Sequence, residues 1–225
     1  SFLSKARTSP DPNVRYLAYQ KLASPSAYDN EEQKAQAAKL LSERLKSGQE
    51  PLASRAVICR TLGELRRPEG HDALLAAIND EDPLIRTEAC RALGKVGRAE
   101  DATELGRIVS ADQSIDCKIA AIEGLGEIRS KDPRFQLQLV EAMESDDPSI
   151  RVAAVRSLRK LAGKDIGVDP KEWRKDVETR LAAYTGTPAP TPTSSPSPSP
   201  DAAPAQAPAL ATKPDEAPAS APTRR

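Results

Sequence analysis

The stretch DPLIRTEACRALGKVG, residues 82–97, returns about 65 residues later as the closely similar DPSIRVAAVRSLRKLAG, residues 147–163. Both segments begin with Asp-Pro and then place apolar residues at intervals of three and four. Aspartate is a preferred N-cap, and proline suits the first helical position because its missing N–H would be unpaired there anyway. Each segment therefore predicts an amphipathic helix, and its recurrence predicts a repeat architecture.

Alignment on the central leucine of this segment reveals five copies. The last four copies are separated by 31, 32 and 33 residues, whereas the first step of 40 contains an insertion around SPSAYDNEE, residues 24–32. The central leucines are Leu22, Leu62, Leu93, Leu125 and Leu158. We call the helices that carry them the B helices. Gly63, Gly94 and Gly126 follow three of these leucines and predict close approach between neighbouring helices.

Shorter amphipathic segments, the A helices, alternate with the B helices. They are predicted over residues 30–47, 69–79, 99–110 and 133–145. One helix pair cannot bury its apolar face alone, but stacked pairs form a continuous core. A last helix, predicted over about 169–184, carries an apolar stripe that suits the cap of such a stack.

These segments resemble the HEAT repeat family, in particular its short subtype named after phycobilisome-lyase HEAT-like (E-Z type) repeats. The resemblance covers residues 9–163, and besides the two opening segments it rests on DPNVRYLAYQKLA, EPLASRAVICRTLGEL and DQSIDCKIAAIEGLGEI. It implies an all-α, right-handed α-solenoid of about five helix-turn-helix repeats with a C-terminal capping helix. The shared residues are those that build the stack, so the resemblance is specific for fold and weak for function.

Composition divides the chain into two expected parts. The repeats and the cap fall within residues 1–184, whereas residues 185–225 contain 11 of the 20 prolines and almost nothing to bury. We expect this Pro/Ala/Ser/Thr-rich tail to be disordered. The chain has no apolar run long enough to span a membrane, and we expect a monomer. Both the cytoplasm and a bacterial cell envelope fit the composition.

A basic residue stands seven positions before each central leucine, and in three copies an aspartate stands four positions before the base. The residues of this predicted ladder are Asp11, Arg15, Arg55, Asp82, Arg86, Lys118, Asp147 and Arg151. HEAT-like repeats carry such Asp/Arg ladders, so the resemblance implies that each base bonds an acid of its own or a neighbouring turn. The alternative is a row of cations that binds an acidic or phosphate-bearing partner.

The chain offers little for catalysis. Cys59, Cys90 and Cys117 are widely spaced and suit small core residues, and we predict neither a disulfide nor a metal site. The one histidine, His71, is expected in an exposed first turn with no nucleophile nearby. We find no nucleotide-binding loop or nucleophile elbow. The sequence therefore predicts that the chain is not an enzyme and binds no cofactor.

The solvent-facing side of the B helices is the remaining candidate site. In HEAT-like arrays this side lines the concave surface, and here it carries mixed charges. The predicted binding residues are Arg60, Glu64, Arg91, Lys95, Glu123 and Arg156. We predict a scaffold that binds a protein or peptide partner on this face. The rivals are a lyase-type protein that acts on a chromophore-bearing protein, and a nucleic-acid-binding module, which the equal numbers of basic and acidic residues (33 each) disfavour.

Overall fold

The computed structural model describes residues 1–128, 130 and 132–184. This part of the chain forms α-helices and three short 3-10 helices, and it contains no strand. The α-helices are α1 (Phe2–Thr8), α2 (Pro12–Lys21), α3 (Glu31–Ser47), α4 (Leu52–Leu65), α5 (His71–Ala77), α6 (Pro83–Val96), α7 (Ala102–Ala111), α8 (Ile115–Ile128), α9 (Pro133–Ala142), α10 (Pro148–Ala162) and α11 (Pro170–Ala182). The 3-10 helices are Pro25–Ala27, Pro68–Gly70 and Ala99–Asp101.

The helices stack as an α-solenoid, as the sequence predicted. Each odd-numbered A helix packs on the B helix that follows it, from the pair α1/α2 to the pair α9/α10. Each B helix also packs on the next B helix, and the tightest of these contacts joins α6 to α8. The last helix, α11, packs on α9 and so covers the end of the A layer. The described residues therefore form five helix pairs and a sixth A helix.

The Asp-Pro pairs start the helices as their chemistry requires. Asp11, Asp82 and Asp147 each accept a hydrogen bond from the backbone N–H two residues ahead, at 2.7–2.8 Å. Asp132 and Asp169 cap α9 and α11 in the same way, with proline again at the first helical position. The N-cap oxygen satisfies a donor that the helix itself cannot pair.

The core runs continuously along the stack between the two layers. The five central leucines are all buried, and so are the three cysteines, which are free thiols. Burial raises the pKa of the Cys59 and Cys90 thiols to about 12, so both stay protonated and unreactive near neutral pH. Trp173 of α11 is fully buried, and its indole N–H donates to the carbonyl of Gly167 at 3.0 Å.

Glycine permits the close contact between α6 and α8. A Cβ placed on Gly94 would lie 2.7 Å from the Cα of Gly124, closer than real Cβ atoms come. A Cβ on Gly126 would meet the Ser157 hydroxyl at 2.9 Å in the same way. The glycines after the central leucines therefore set the spacing between B helices.

The predicted tail, residues 185–225, lies outside the described residues, and the boundary at residue 184 stays a prediction. Within the described part, no helix is long and apolar enough to cross a membrane. That part also contains no group of three or more histidine, cysteine or acidic side chains arranged to hold a metal ion.

Candidate binding groove

Two adjoining pockets lie along the B helices and together contain all six predicted binding residues. The first, of about 210 Å³, lies between α4 and α6 and is lined by Arg60, Glu64, Glu88, Arg91, Ala92 and Lys95. The second, of about 300 Å³, continues across α8 to α10 and is lined by Arg91, Lys95, Glu123, Gly124, Glu127, Arg156, Ser157 and Lys160. Arg91 and Lys95 belong to both pockets. We call this continuous surface the charged groove.

Glu88 is the buried anion of the charged groove, and sequence reasoning missed it. The residue is only 6% exposed, and its carboxylate accepts from Arg60 at 3.3 Å and from Arg91 at 3.2 Å. Arg60 and Arg91 do reach solvent, but they also neutralise this carboxylate. The signal lay in the alignment, because Val57, Ala120 and other apolar residues occupy the place of Glu88 in most copies.

Two further ion pairs cross the charged groove between neighbouring helices. Lys95 of α6 bonds Glu64 of α4, and Lys160 of α10 bonds Glu127 of α8. By contrast, Glu123 and Arg156 have no ion-pair partner among the described residues. The groove therefore contains ion pairs that are already formed, and also one anion and one cation, Glu123 and Arg156, that are open to a ligand.

The basic column bonds acids from the turn of the following repeat. Arg86 donates from Nε and Nη2 to the carboxylate of Asp112, at 2.8 and 3.0 Å, and that carboxylate lies just before α8. Arg15 holds Glu50 before α4 in the same way, at 2.9–3.3 Å. Arg55 pairs with Asp80 before α6. Each of these bonds joins two repeats, because the acid and the base lie 25–35 residues apart.

The predicted aspartate partners have a different role. Asp11, Asp82 and Asp147 turn their carboxylates to backbone N–H groups as N-caps, and none of them pairs with the base four residues ahead. Lys118 and Arg151 have no acidic partner in the part of the chain that the structure describes. The ladder thus runs through the first three B helices and stops.

Glu50 is a second buried acid that the sequence pattern did not single out. Besides Arg15, it accepts from the Tyr19 hydroxyl at 2.9 Å, and Arg44 lies 3.7 Å away. Burial and the hydrogen bond to Glu50 raise the pKa of Tyr19 to about 12. Glu50 precedes a proline as the Asp-Pro aspartates do, but the N-cap of α4 is Pro51, and the Glu50 side chain bonds the previous repeat instead.

His71 does not lie in an exposed turn, as the sequence predicted, but is 5% exposed. Its Nε2 lies 2.8 Å from a carboxylate oxygen of Asp101, which is also buried, and its Nδ1 lies 3.0 Å from Asp72. Asp101 also accepts from the backbone N–H of Arg98 at 2.6 Å. The wrong prediction has a physical cause: Asp101, in the 3-10 turn before α7, lies against His71, and a contact across 30 residues leaves no mark in the local pattern.

This contact predicts a pH-dependent stability. Burial disfavours the charged imidazolium, but hydrogen bonds with Asp72 and Asp101 outweigh it and raise the pKa of His71 above 6.5. The contribution of protonated His71 to the stability of the fold is therefore complete below about pH 6.5 and is lost as pH rises through the pKa of His71 in the folded state. We expect the free energy of unfolding, measured by urea melts, to fall between pH 6 and pH 8. His71→Asn and Asp101→Asn should both flatten this slope, and a wild-type protein equally stable at both pH values would contradict the assignment.

The five stacked helix pairs of the described residues, with B helices lining one surface, have the architecture of HEAT-like solenoids. Residues 38–126 match the family model described as HEAT repeats. An engineered protein of known crystal structure aligns with a TM-score of 0.56 and 19% identity, over 82% of this chain and 89% of its own. The complex of CpcE and CpcF of phycocyanin lyase from Nostoc sp. PCC7120 aligns with a TM-score of 0.57 and 17% identity, over 82% and 70%. No curated protein matches the sequence.

These comparisons overturn one prediction from the sequence, namely that the chain is not an enzyme. The same fold occurs in a phycocyanin lyase, so a HEAT-like stack without a familiar catalytic motif does not exclude an enzyme. At 17% identity the likeness establishes the fold alone. The exclusion of enzymatic activity is therefore withdrawn.

Proposed function

We propose that this chain is a scaffold that binds a protein or peptide partner along the charged groove. The observation that carries the proposal is the convergence of side chains from four successive B helices in two adjoining pockets. Residues about 30 positions apart in the sequence thereby form one extended surface. Such a surface suits a partner that runs across several repeats.

The charges of the groove favour a partner of mixed charge. Four acids, Glu64, Glu88, Glu123 and Glu127, alternate with the bases along its length. These carboxylates would repel the phosphates of a nucleic acid, whereas a protein surface can place a cation and an anion in register with them. The open pair Glu123 and Arg156 would then set that register.

The existing ion pairs do not prevent binding. Lys95–Glu64 and Lys160–Glu127 are exposed on both sides, and exposed pairs contribute only about 0–1 kcal/mol to stability. A partner can therefore replace them at little cost. Arg60 and Arg91 differ, because their removal would strand the buried carboxylate of Glu88. For this reason a charge reversal at those two positions would confuse lost folding with lost binding.

Arg156→Glu is the sharper test of this groove. Arg156 is exposed and unpaired among the described residues, so the urea midpoint should stay within error of wild type. We expect the variant to lose at least about 10-fold in affinity for the bound partner, because electrostatic complementarity fixes register. The measurement is capture on the immobilised full chain, identification of the captured protein by mass spectrometry, and titration of that purified protein.

The matched control is Lys39→Glu, the same change of charge on the exposed side of α3 in the A layer. It should bind as well as wild type. Equal loss in both variants would indicate a general charge effect, and full binding by Arg156→Glu would contradict the groove.

A second candidate function rests on the likeness to the phycocyanin lyase complex. In that case the chain would act on a chromophore-bearing protein, and the groove would hold that protein. A chromophore-transfer assay with purified full chain distinguishes the two candidates, because a scaffold alone would transfer nothing.

A further inference from the structure

The two layers of the stack end differently. The A layer ends on α11, which covers α9, whereas α10 is the last B helix of the described residues. Val152 of α10 is 57% exposed as a result. At the same position of internal repeats, where the next B helix follows, Ala56 and Thr87 are 6% and 5% exposed, and Tyr16 and Ile119 are half-buried. The described part of the chain therefore ends on an uncovered B-helix face.

Arg151 is oriented on this face but lacks an acidic partner. Its Nη1 donates to the carbonyls of Ser145 and Asp146 at 2.8 and 2.9 Å. Arg86 makes the same two bonds to its own turn, at 2.9 Å each, and uses Nε and Nη2 for the carboxylate of the next repeat. The corresponding Nε/Nη2 edge of Arg151 meets no carboxylate among the described residues. In the last described repeat, Arg151 therefore has the same orientation as Arg86 but lacks the carboxylate that Arg86 binds.

A pocket of about 540 Å³ adjoins this arginine. Its apolar wall is formed by Met143, Val152, Val155 and Val168, and its basic rim by Arg151, Arg156 and Arg159. Arg159 bonds Asp165 at 2.8 Å, while Arg156 has no acidic partner in the described part. An apolar wall with two open guanidinium groups matches a ligand that carries both apolar side chains and carboxylates.

A second copy of this chain that stacked through α2 would not place a carboxylate against Arg151. The acids that pair with the ladder, Glu50, Asp80 and Asp112, stand two or three residues before the first residue of a B helix. The corresponding turn before α2 has Ser9 and Pro10 instead. End-to-end stacking of two copies through α2 would leave Arg151 unpaired, which disfavours a second copy as the occupant.

The internal helices indicate the form of that occupant. At the place of Gly63, Gly94 and Gly126, α10 carries Arg159, so a partner helix cannot approach it as closely as α8 approaches α6. The pocket lies on this face of α10, and apolar side chains of a partner can fill it. We propose that the end of α10 is a docking site for a segment of another protein in which an acidic turn leads into an amphipathic helix. The acid binds Arg151, and the apolar side chains cover Val152 and Val168.

A peptide of this chain's own sequence provides the probe. Residues 110–128 carry Asp112 and the amphipathic helix that fills the same role for Arg86 inside the stack. We would label this peptide with fluorescein, replace its Cys117 with serine, and titrate it with the full chain by fluorescence anisotropy. The proposal expects saturable binding, and an Asp112→Asn peptide should bind at least about 10-fold more weakly, because a charge-assisted bond is lost.

Variants of the full chain locate the binding. Arg151→Gln should lower the affinity for the peptide that carries Asp112 at least about 10-fold. It should hardly change the affinity for the Asp112→Asn peptide, because the two substitutions remove the same contact. Val152→Asp should abolish binding. Leu17→Asp on α2, at a residue 55% exposed, is the matched control and should bind as wild type.

Absence of saturable binding at millimolar protein would overturn the proposal. So would equal binding by wild type, Arg151→Gln and Val152→Asp, because the peptide would then bind elsewhere. Glu123→Lys changes the charged groove but not this pocket, so its unaltered peptide binding would separate this site from the proposed function.

Discussion

Trp173→Ala is expected to lower the free energy of unfolding by about 3–5 kcal/mol, the usual cost of truncating a fully buried aromatic side chain. The indole is 0% exposed and is one of two buried side chains by which α11 is anchored, the other being Val177. Its removal also leaves the Gly167 carbonyl without its donor. Because each repeat contacts only its neighbours, the loss should loosen the cap on α9 first.

Urea melts followed by circular dichroism measure this effect. Val168→Ala is the control on the same end of the stack, since Val168 is 71% exposed and its truncation should change stability by less than about 0.5 kcal/mol. Equal melting of Trp173→Ala and wild type would show that α11 does not stabilise the stack.

Arg86→Ala is expected to cost about 1–3 kcal/mol, because it leaves the buried carboxylate of Asp112 without its ion-pair partner. Arg151→Ala is a close match. It removes the same side chain and the same pair of bonds to turn carbonyls, but no carboxylate is stranded in the described residues. The difference between the two losses isolates the contribution of the ladder bond between repeats.

The ladder bond also has a pH signature. Burial opposes ionisation of Asp112, but hydrogen bonds from Arg86 and from the Ser114 backbone N–H hold its pKa below 3.8. The stabilisation is therefore present above about pH 3.8 and is lost as pH falls through the folded-state pKa. Arg86→Ala should lose part of this acid sensitivity. Equal losses for Arg86→Ala and Arg151→Ala would contradict a structural role for the ladder.

The repeat pattern was sufficient to predict the helices, their order and their stacking. Helix starts depend on an N-cap and a proline that are adjacent in the chain, and buried faces depend on a period of 3.6 residues. Both are local properties. For the same reason the six groove residues could be named from their columns in the alignment, since one column lies on one face of every B helix.

The contacts between repeats could be identified only from the tertiary structure. The sequence placed acids at several positions near each base, and only the packing of one turn against the previous B helix selects Asp112 over Asp82 for Arg86. Glu88 and His71 each bond a residue about 30 positions away in the chain, Arg60 and Asp101, and these two contacts leave no local signal. The uncovered face of α10 has the same origin. Its amino acids resemble those of the internal repeats, and it is exposed because no described B helix follows it.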